Sequence, residues 1–193
     1  MEKKPTKKQQ EIMDKKKEIF NTSIELFKKY GYDNVTIKDI CSETGVSTGS
    51  LYNMFENKAS ILFQFADLFD QNCYQELKKH MESKNALETV TSYILSILNT
   101  FEFIGVDLTL RLHTSHNQIF AHKSEGTKTL EMYLTTLQNQ HLLSASITAS
   151  QFVDMINVIV YGFVYRWCNN NDEDYNLVEI AKVYLPDLLS FLK

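Results

Sequence analysis

The stretch from Val35 to Leu62, VTIKDICSETGVSTGSLYNMFENKASIL, has the pattern of two short helices joined by a tight turn and followed by a third helix. Thr36 and Ser47 are N-cap residue types, and Asp39 follows Thr36 at the spacing of a capping box. Gly45 stands just past the first helix, where a residue with positive φ is favoured. This pattern predicts a helix-turn-helix, whose second helix is of the kind that enters a DNA major groove.

An amphipathic helix is predicted before this stretch, from about Lys15 to Tyr30. Its apolar residues recur at helical spacing and therefore lie on one face, namely Ile19, Phe20, Ile24 and Phe27. That face is expected to cover the core of the helix-turn-helix. The three helices together predict a compact amino-terminal head.

The head closely resembles the DNA-binding region of TetR-family transcriptional regulators, over roughly residues 15–62 without a gap. Two departures concern Cys41, where the family usually has a small Ala, and Asn53-Met54, which replaces a more aromatic or His-rich pair. Both bear on which DNA sequence is read. The matching residues are Leu26, Phe27, Gly31, Tyr32, Thr36, Ile40, Gly45, Val46, Ser47, Gly49, Leu51, Tyr52, Phe55, Lys58 and Leu62.

The resemblance implies two sets of DNA contacts. Phosphate contacts are expected from residues at helix starts and from polar side chains near them, namely Thr36, Ser47, Tyr52 and Lys58. Base contacts fall to the exposed side of the second short helix, namely Thr48, Gly49, Ser50 and Asn53. Capping alone is the simpler role for the two helix-start hydroxyls, and the two roles are compatible.

Charge is distributed unevenly along the 193 residues, whose formal net charge is −4. Residues 1–60 contain 11 lysines and nine acidic residues, a net of +2. Residues 61–193 contain nine basic and 15 acidic residues, a net of −6. A mildly basic head on an acidic body suits a nucleic-acid partner but does not by itself require one.

Several function classes lack their sequence signatures. The chain contains no GxxxxGK and no HExxH motif, and we expect neither an enzyme nor a bound cofactor. The longest apolar run, Val158–Tyr165, is far shorter than the roughly 20 residues of a membrane span, and the Lys-rich terminus is not a secretory signal. Three widely spaced cysteines are expected to be reduced thiols. We therefore predict a cytoplasmic protein without a membrane segment.

These patterns and the family resemblance together imply three regions: a flexible basic tail at 1–14, a helix-turn-helix DNA-binding domain at 15–60, and a helical ligand-binding and dimerisation domain at 61–193. The tail begins MEKKPTKKQQ and is expected to be disordered in the unbound protein. It could also act as a basic arm that touches phosphates or the minor groove when DNA is present.

The last third of the chain predicts self-association. Residues Phe152–Cys168 are apolar on nearly every side, which requires either a central position or a partner subunit. Pro186 lies inside the final helical pattern and is expected to kink it or to split off its last turn. The two helices, at about 150–170 and 174–192, resemble the pair with which TetR-type proteins form a four-helix dimer bundle. The resemblance implies a homodimer that recognises a palindromic operator.

The resemblance also implies that a small molecule binds among the middle helices and releases the DNA. The candidate lining is aromatic and apolar: Tyr93, Phe101, Phe103, Phe120, Tyr133, Met155, Ile159 and Phe163. Arg111, His113 and His116 are candidates to anchor a polar or anionic group. Ordinary core packing is the alternative for each aromatic residue. As a set they predict a hydrophobic or amphipathic ligand.

A metal site is the weaker explanation of the histidines. His113 and His116 lie three residues apart, with His122 nearby, but zinc sites usually show firmer ligand patterns and carboxylate partners. We predict no metal.

Two alternatives to a ligand-released repressor stay open. One is an all-α interaction protein without sequence-specific DNA binding, and the other is a family member that activates or does not respond to small molecules. The prediction from sequence is an all-α homodimeric regulator, with a three-helix DNA-binding head and a helical body.

Overall fold

The computed structural model describes residues 6–114, 125–170 and 175–192, and every regular element within these ranges is helical. The predicted all-α fold class is confirmed. In chain order the helices are α1 Lys7–Tyr30, α2 Ile37–Thr44, α3 Thr48–Met54, α4 Lys58–His80, α5 Ala86–Ile104, α6 Val106–Thr114, α7 Glu125–Asn139, α8 Ala149–Cys168 and α9 Leu177–Leu188, with a 3-10 helix at Ser190–Leu192.

The chain divides into two compact units, Met1–Ala66 (unit 1) and Asp67–Lys193 (unit 2). The division falls inside α4, whereas the sequence suggested a boundary between residues 60 and 61. Unit 1 therefore contains α1 to α3 and the first turns of α4. Unit 2 contains the rest of α4 and the helices that follow it.

The core of unit 1 forms around one face of α1, as its periodicity predicts. Burial of each large apolar side chain contributes about 1.5–3 kcal/mol relative to exposure, so this face accounts for much of the unit's stability. The buried residues are Ile19, Phe20, Ile24 and Phe27 of α1, Ile40 of α2, Leu51 of α3, Phe55 after α3 and Ile61 of α4.

The start of α1 corrects the predicted tail. The sequence placed this helix from about Lys15 and a flexible tail over 1–14, but α1 begins at Lys7. Thr6 and Gln9 form a capping box: the Gln9 backbone N–H donates to Thr6 Oγ1, and the Thr6 backbone N–H donates to Gln9 Oε1 at 2.8 Å. No Gly or Pro interrupts residues 7–14, so the capped helix continues upstream. Residues 1–5 lie outside the described ranges.

Unit 2 is organised around α5, which packs against α6, α8 and α9, while α7 packs against α8. Gly105, with φ of +84°, ends α5 and allows α6 to leave at a bend of 106°. Within the described residues no single helix combines the length and hydropathy of a bilayer span, and the bent pair α5 and α6 passes that test only by length and composition.

Within one chain, α8 is not buried on every side. Its inner face buries Phe152, Ile156 and Trp167, but Val158 and Tyr165 are 71% and 73% exposed. A central position therefore does not explain its apolar character, and burial by a partner subunit stays a prediction. The final helix α9 includes Pro186 and ends at Leu188; Leu189 is its C-cap, and the 3-10 helix Ser190–Leu192 follows.

Candidate nucleic-acid interface

The first helix of the motif, α2, begins with a complete capping box. Asp39 accepts hydrogen bonds from the Thr36 backbone N–H at 2.8 Å and from the Thr36 hydroxyl at 2.7 Å, while the Asp39 N–H donates to Thr36 Oγ1 at 3.3 Å. These bonds hold the pKa of Asp39 below its usual value. Gly45 ends α2 in the left-handed region, with φ of +65°. The caps determine where α2 starts and stops, and so where α3 begins.

The second helix, α3, is held from its inner side. Ser47 is its N-cap and accepts the Ser50 backbone N–H at 3.1 Å, and the Phe55 N–H donates to the Leu51 carbonyl at 2.8 Å. Leu51 is fully buried, so one side of the short helix faces the core of unit 1. The residues predicted to read bases are all exposed, namely Thr48, Gly49, Ser50 and Asn53.

Tyr52, predicted to contact the backbone of DNA, is 52% exposed on the same helix. A Cβ atom placed on Gly49 would meet nothing within 4 Å, so bare backbone is accessible beside these side chains. The predicted reading residues therefore share a solvent-facing surface of hydroxyl, amide and phenol groups. Such groups can both donate to and accept from base edges and phosphates.

Lys58, predicted as a phosphate contact, makes three interactions inside unit 1. Its ammonium donates to the carbonyl oxygens of Tyr32 at 2.7 Å and Val35 at 2.8 Å. The nitrogen also lies 4.3 Å from the centroid of the Tyr32 ring, within cation–π range. Lys58 as a whole is half-buried. The phosphate contact of Lys58 stays a prediction, and the contacts of its ammonium within unit 1 are an alternative role for this side chain.

Sequence reasoning missed two lysines that support the motif from α1. The Lys15 ammonium donates at 3.3 Å to the carbonyl of Thr44, at the end of α2, where a cation complements the helix dipole. The Lys16 ammonium lies 5.6 Å from the centroid of the Phe55 ring. Thr44 is 29 residues from Lys15, so no local spacing signals the contact.

Sequence reasoning also missed a motif. Residues 45–49, GVSTG, match the GxSxG motif of a nucleophile elbow. A nucleophile elbow requires a strand before the serine and a helix after it. Here a helix, α2, precedes Ser47, and the serine side chain is the N-cap of α3 and bonds to Ser50. The geometry at Ser47 is that of a helix-turn-helix and not of a nucleophile elbow.

In unit 2 the ligand-lining candidates are distributed between the core and the surface. Tyr93, Phe101, Tyr133 and Phe163 are buried, Ile159 is half-buried, and Phe103 and Met155 are 41% and 40% exposed. His113 belongs to α6 and only its backbone is described, while His116 and Phe120 lie outside the described residues. The Arg111 Nε atom lies 3.8 Å from Asp107 Oδ2.

The phenol of Tyr133 is used within the protein. It bonds to the carbonyl of Ser83 and to Thr89 Oγ1, both at 3.0 Å, and burial raises its pKa. It therefore ties α7 to the α4–α5 connection. Phe103 instead borders an open groove of about 400 Å³, whose other lining residues are Gln75, Glu76, Lys79, Ser96, Asn99 and Thr100.

No group of three His, Cys, Asp or Glu residues in the described part of the chain is arranged to hold a metal ion.

Unit 2 also has an apolar outer surface. Along α8, Met155, Val158, Tyr161 and Tyr165 recur every three or four residues and are 40% to 73% exposed, so they lie on one stripe. On α9, Val183, Tyr184 and Leu188 are 46% to 70% exposed. We call these seven residues the outer apolar face.

Comparison with known proteins identifies the head. Residues 19–65 match the family model described as "Bacterial regulatory proteins, tetR family". The chain is 26% identical over 164 residues to the uncharacterized HTH-type transcriptional regulator YerO of Bacillus subtilis, covering 81% of this chain but 55% of that protein. It thus spans about half of that relative's length.

A second relative matches over nearly the whole chain. It is the fatty acid metabolism regulator protein of Bacillus subtilis, 22% identical over 180 residues, covering 90% of this chain and 93% of that one. The solved structure of FadR from Bacillus subtilis in complex with stearoyl-CoA aligns with a TM-score of 0.68 at 20% identity, over 92% of this chain and 99% of that one. This structural likeness shows the shared all-helical fold.

Proposed function

From the membership of this chain in the TetR family of bacterial transcriptional regulators, we propose that it is a repressor that binds a palindromic DNA operator as a homodimer and releases it when a small molecule binds. The DNA-binding part of the proposal rests on the exposed polar surface of α3. This helix begins after its N-cap, Ser47, and packs into the core of unit 1 through the buried Leu51. The active species is proposed to be cytoplasmic and without catalytic activity.

The predicted roles on α3 divide into positioning and reading. Tyr52 and the caps Thr36 and Ser47 are proposed to contact phosphates, which set the register of the protein on the duplex. Thr48, Gly49, Ser50 and Asn53 are proposed to face base edges, where an amide can pair bidentately with adenine. The exposure of all these residues supports the assignment.

The outer apolar face supports the homodimer. A stripe of exposed aliphatic and aromatic side chains along two helices is unfavourable in water, and a second copy of the same stripe would cover it. A twofold dimer carries two copies of α3, and its symmetry would be mirrored in two half-sites of the operator.

The proposed effector is a hydrophobic or amphipathic molecule. The aromatic candidates of unit 2 support this class, and the similarity to a fatty acid metabolism regulator makes long-chain acyl-CoA the first probe to use. Binding would release DNA only if the molecule prefers the protein conformation that does not fit the operator.

Selection from a pool of randomised duplexes tests the DNA part of the proposal. The purified protein should retain fragments that share an inverted repeat, with half-site centres one or more helical turns of about 10 bp apart. Affinity should fall as salt rises, because counterions compete for the phosphates. A protein that ignores duplex DNA even at low salt would instead favour the all-α interaction protein.

A release assay tests the effector. Stearoyl-CoA, free stearate, coenzyme A and polar metabolites are added in turn to the protein–DNA complex, and the fraction of DNA bound is followed. Amphipathic probes should release DNA at concentrations at which coenzyme A alone does not. Release by polar metabolites alone would contradict the proposed ligand class, and enhanced binding would contradict the repressor-release scheme while leaving DNA binding intact.

A further inference from the structure

We propose that Lys58 is a positioning residue: its ammonium fixes the first turn of α4 to the turn between α1 and α2, and DNA affinity depends on it through the placement of the head helices and not through a phosphate. This inference rests on the DNA-binding role of unit 1. It replaces the phosphate contact that the family resemblance implies for the same side chain.

The Lys58 ammonium has two backbone acceptors and one aromatic ring beside it. A lysine ammonium has three N–H donors and no acceptor. Two carbonyl oxygens accept from it, Tyr32 O at 2.7 Å and Val35 O at 2.8 Å, and the Tyr32 ring centroid lies 4.3 Å away. Bonds from an ionised donor are about twice as strong as those between neutral groups. One side chain thus joins two backbone sites and one aromatic face.

The Lys58 ammonium lies at the turn between α1 and α2, where the chain changes direction before the helix-turn-helix. Gly31, with φ of +82°, ends α1, and the Asn34 amide donates to the Tyr30 carbonyl at 2.8 Å. The Tyr32 ring packs on Phe27 of α1, with ring centroids 4.8 Å apart. The turn is therefore anchored to α1 on one side and to α4, through Lys58, on the other.

Movement of this turn would be transmitted to α2. Val35 is 3% exposed and directly precedes Thr36, the N-cap of α2. Through its buried Ile40, α2 shares the core of unit 1 with α3, whose Leu51 is fully buried. Loss of the Lys58 contacts would therefore shift the start of α2 and, with it, the orientation of α3.

A phosphate contact would compete with this site. Two of the three N–H donors of the ammonium bond to partly buried carbonyls and the Tyr32 ring lies beside it, so a phosphate that drew the ammonium away would break two charge-assisted hydrogen bonds. Lys17 and Lys38, by contrast, are exposed lysines of the same unit. They provide matched controls for the removal of one positive charge.

The test compares Lys58→Met with Lys17→Met in the full chain. Dissociation constants for the selected duplex are measured from about 50 to about 200 mM salt, well below the melting temperature of each variant. For Lys58→Met the dissociation constant should rise about tenfold at every salt concentration, or about 1.4 kcal/mol, because the head helices lose their placement. The salt dependence should keep its slope, because no phosphate contact is lost. Lys17→Met should change affinity much less.

Two results would overturn the proposal. A slope of log K against log salt that flattens by about 0.9 in Lys58→Met would identify a phosphate contact. A lowered melting temperature with unchanged affinity of the folded protein would identify a merely structural role.

Tyr32→Leu gives a second test that does not depend on how well Lys58→Met folds. It removes the ring beside the ammonium and retains every lysine, and Tyr32→Phe is its control because the ring stays. Positioning predicts weaker DNA binding at unchanged slope in Tyr32→Leu, and unchanged affinity there would contradict it. Failure of the unaltered protein to bind any duplex would instead reject DNA binding itself.

Discussion

Two exposed surfaces of this chain differ in chemistry. The side chains that α3 exposes carry hydroxyl, amide and phenol groups, on Thr48, Ser50, Tyr52 and Asn53. The outer apolar face on α8 and α9 exposes side chains of Val, Leu, Met and Tyr. Polar groups remain hydrated when a surface is unoccupied, whereas an apolar stripe gains free energy when it is covered. The first surface is suited to a partner that binds and leaves, and the second to a lasting contact.

The difference also sets the size of the effect that a mutation should have. On α3 each side chain would contribute a few separate hydrogen bonds to DNA, so single changes remove one contact at a time. On α8 a single charge would disrupt the exposed apolar stripe, and with it the proposed pairing of two heads. The predictions below run from the second surface to the first.

Val158→Glu should have the largest effect. Val158 is 71% exposed within the outer apolar face, and a carboxylate there would be buried without a partner in a dimer. We expect a monomer by sedimentation, and affinity for a two-half-site duplex lowered by about 10²- to 10⁴-fold through loss of bivalency. Met132→Glu on α7 is the control, because Met132 is 67% exposed outside this face. A Val158→Glu variant that still sediments as a dimer would locate the interface elsewhere.

Asn53→Ala should alter preference more than affinity. Asn53 is exposed on α3, and a bidentate amide–base pair contributes about 1–3 kcal/mol of discrimination. Selection from a randomised pool should show one relaxed position in each half-site, with discrimination there reduced by about 10- to 100-fold. Asn21→Ala, an exposed amide on α1, is the control. Unchanged preference in Asn53→Ala would remove this residue from the reading set.

Tyr52→Phe should weaken all sequences alike, by about tenfold, since a hydrogen bond to a charged group such as a phosphate contributes about 1.5–3 kcal/mol. The phenol is accessible because Tyr52 is 52% exposed. The dissociation constants of Tyr52→Phe and of the unaltered protein are measured for a preferred and for an unrelated duplex. The ratio of the variant's constant to that of the unaltered protein should be the same for both duplexes. A change in the ratio between the two duplexes would make Tyr52 a reader of bases instead.

The helix-turn-helix could be predicted because its determinants are local. Thr36 and Asp39 are three residues apart, as are Ser47 and Ser50, and both pairs form the predicted caps. The same kind of signal was present at Thr6 and Gln9 and was overlooked, because the lysines around it resemble a disordered terminus. Local spacing therefore carried more information about α1 than composition did.

Contacts between distant residues could not be predicted in this way. Lys58 bonds to a carbonyl 26 residues away, and the phenol of Tyr133 to a hydroxyl 44 residues away. A lysine in a basic head suggests phosphate, and a tyrosine in an apolar helix suggests a ligand pocket. Only the fold shows that both polar groups are already bound within the protein. Periodicity likewise cannot tell whether an apolar helix is buried in its own chain or by a partner, as Val158 illustrates.

The smallest expected effect concerns the N-terminal cap of α2, and it depends on pH. Hydrogen bonds from Thr36 lower the pKa of Asp39, so the folded protein binds this proton less readily than the unfolded chain does. The resulting stabilisation is present above the unfolded value near 3.8 and is lost as pH falls through the lower folded value. Asp39→Asn should therefore reduce the fall in melting temperature between about pH 5 and pH 3, whereas Glu11→Gln, at an exposed carboxylate on α1, should not. At neutral pH the Asp39 carboxylate is ionised, so DNA affinity should not follow its titration. If Asp39→Asn and the unaltered protein lose the same number of degrees on acidification, the cap does not depend on the charge of Asp39.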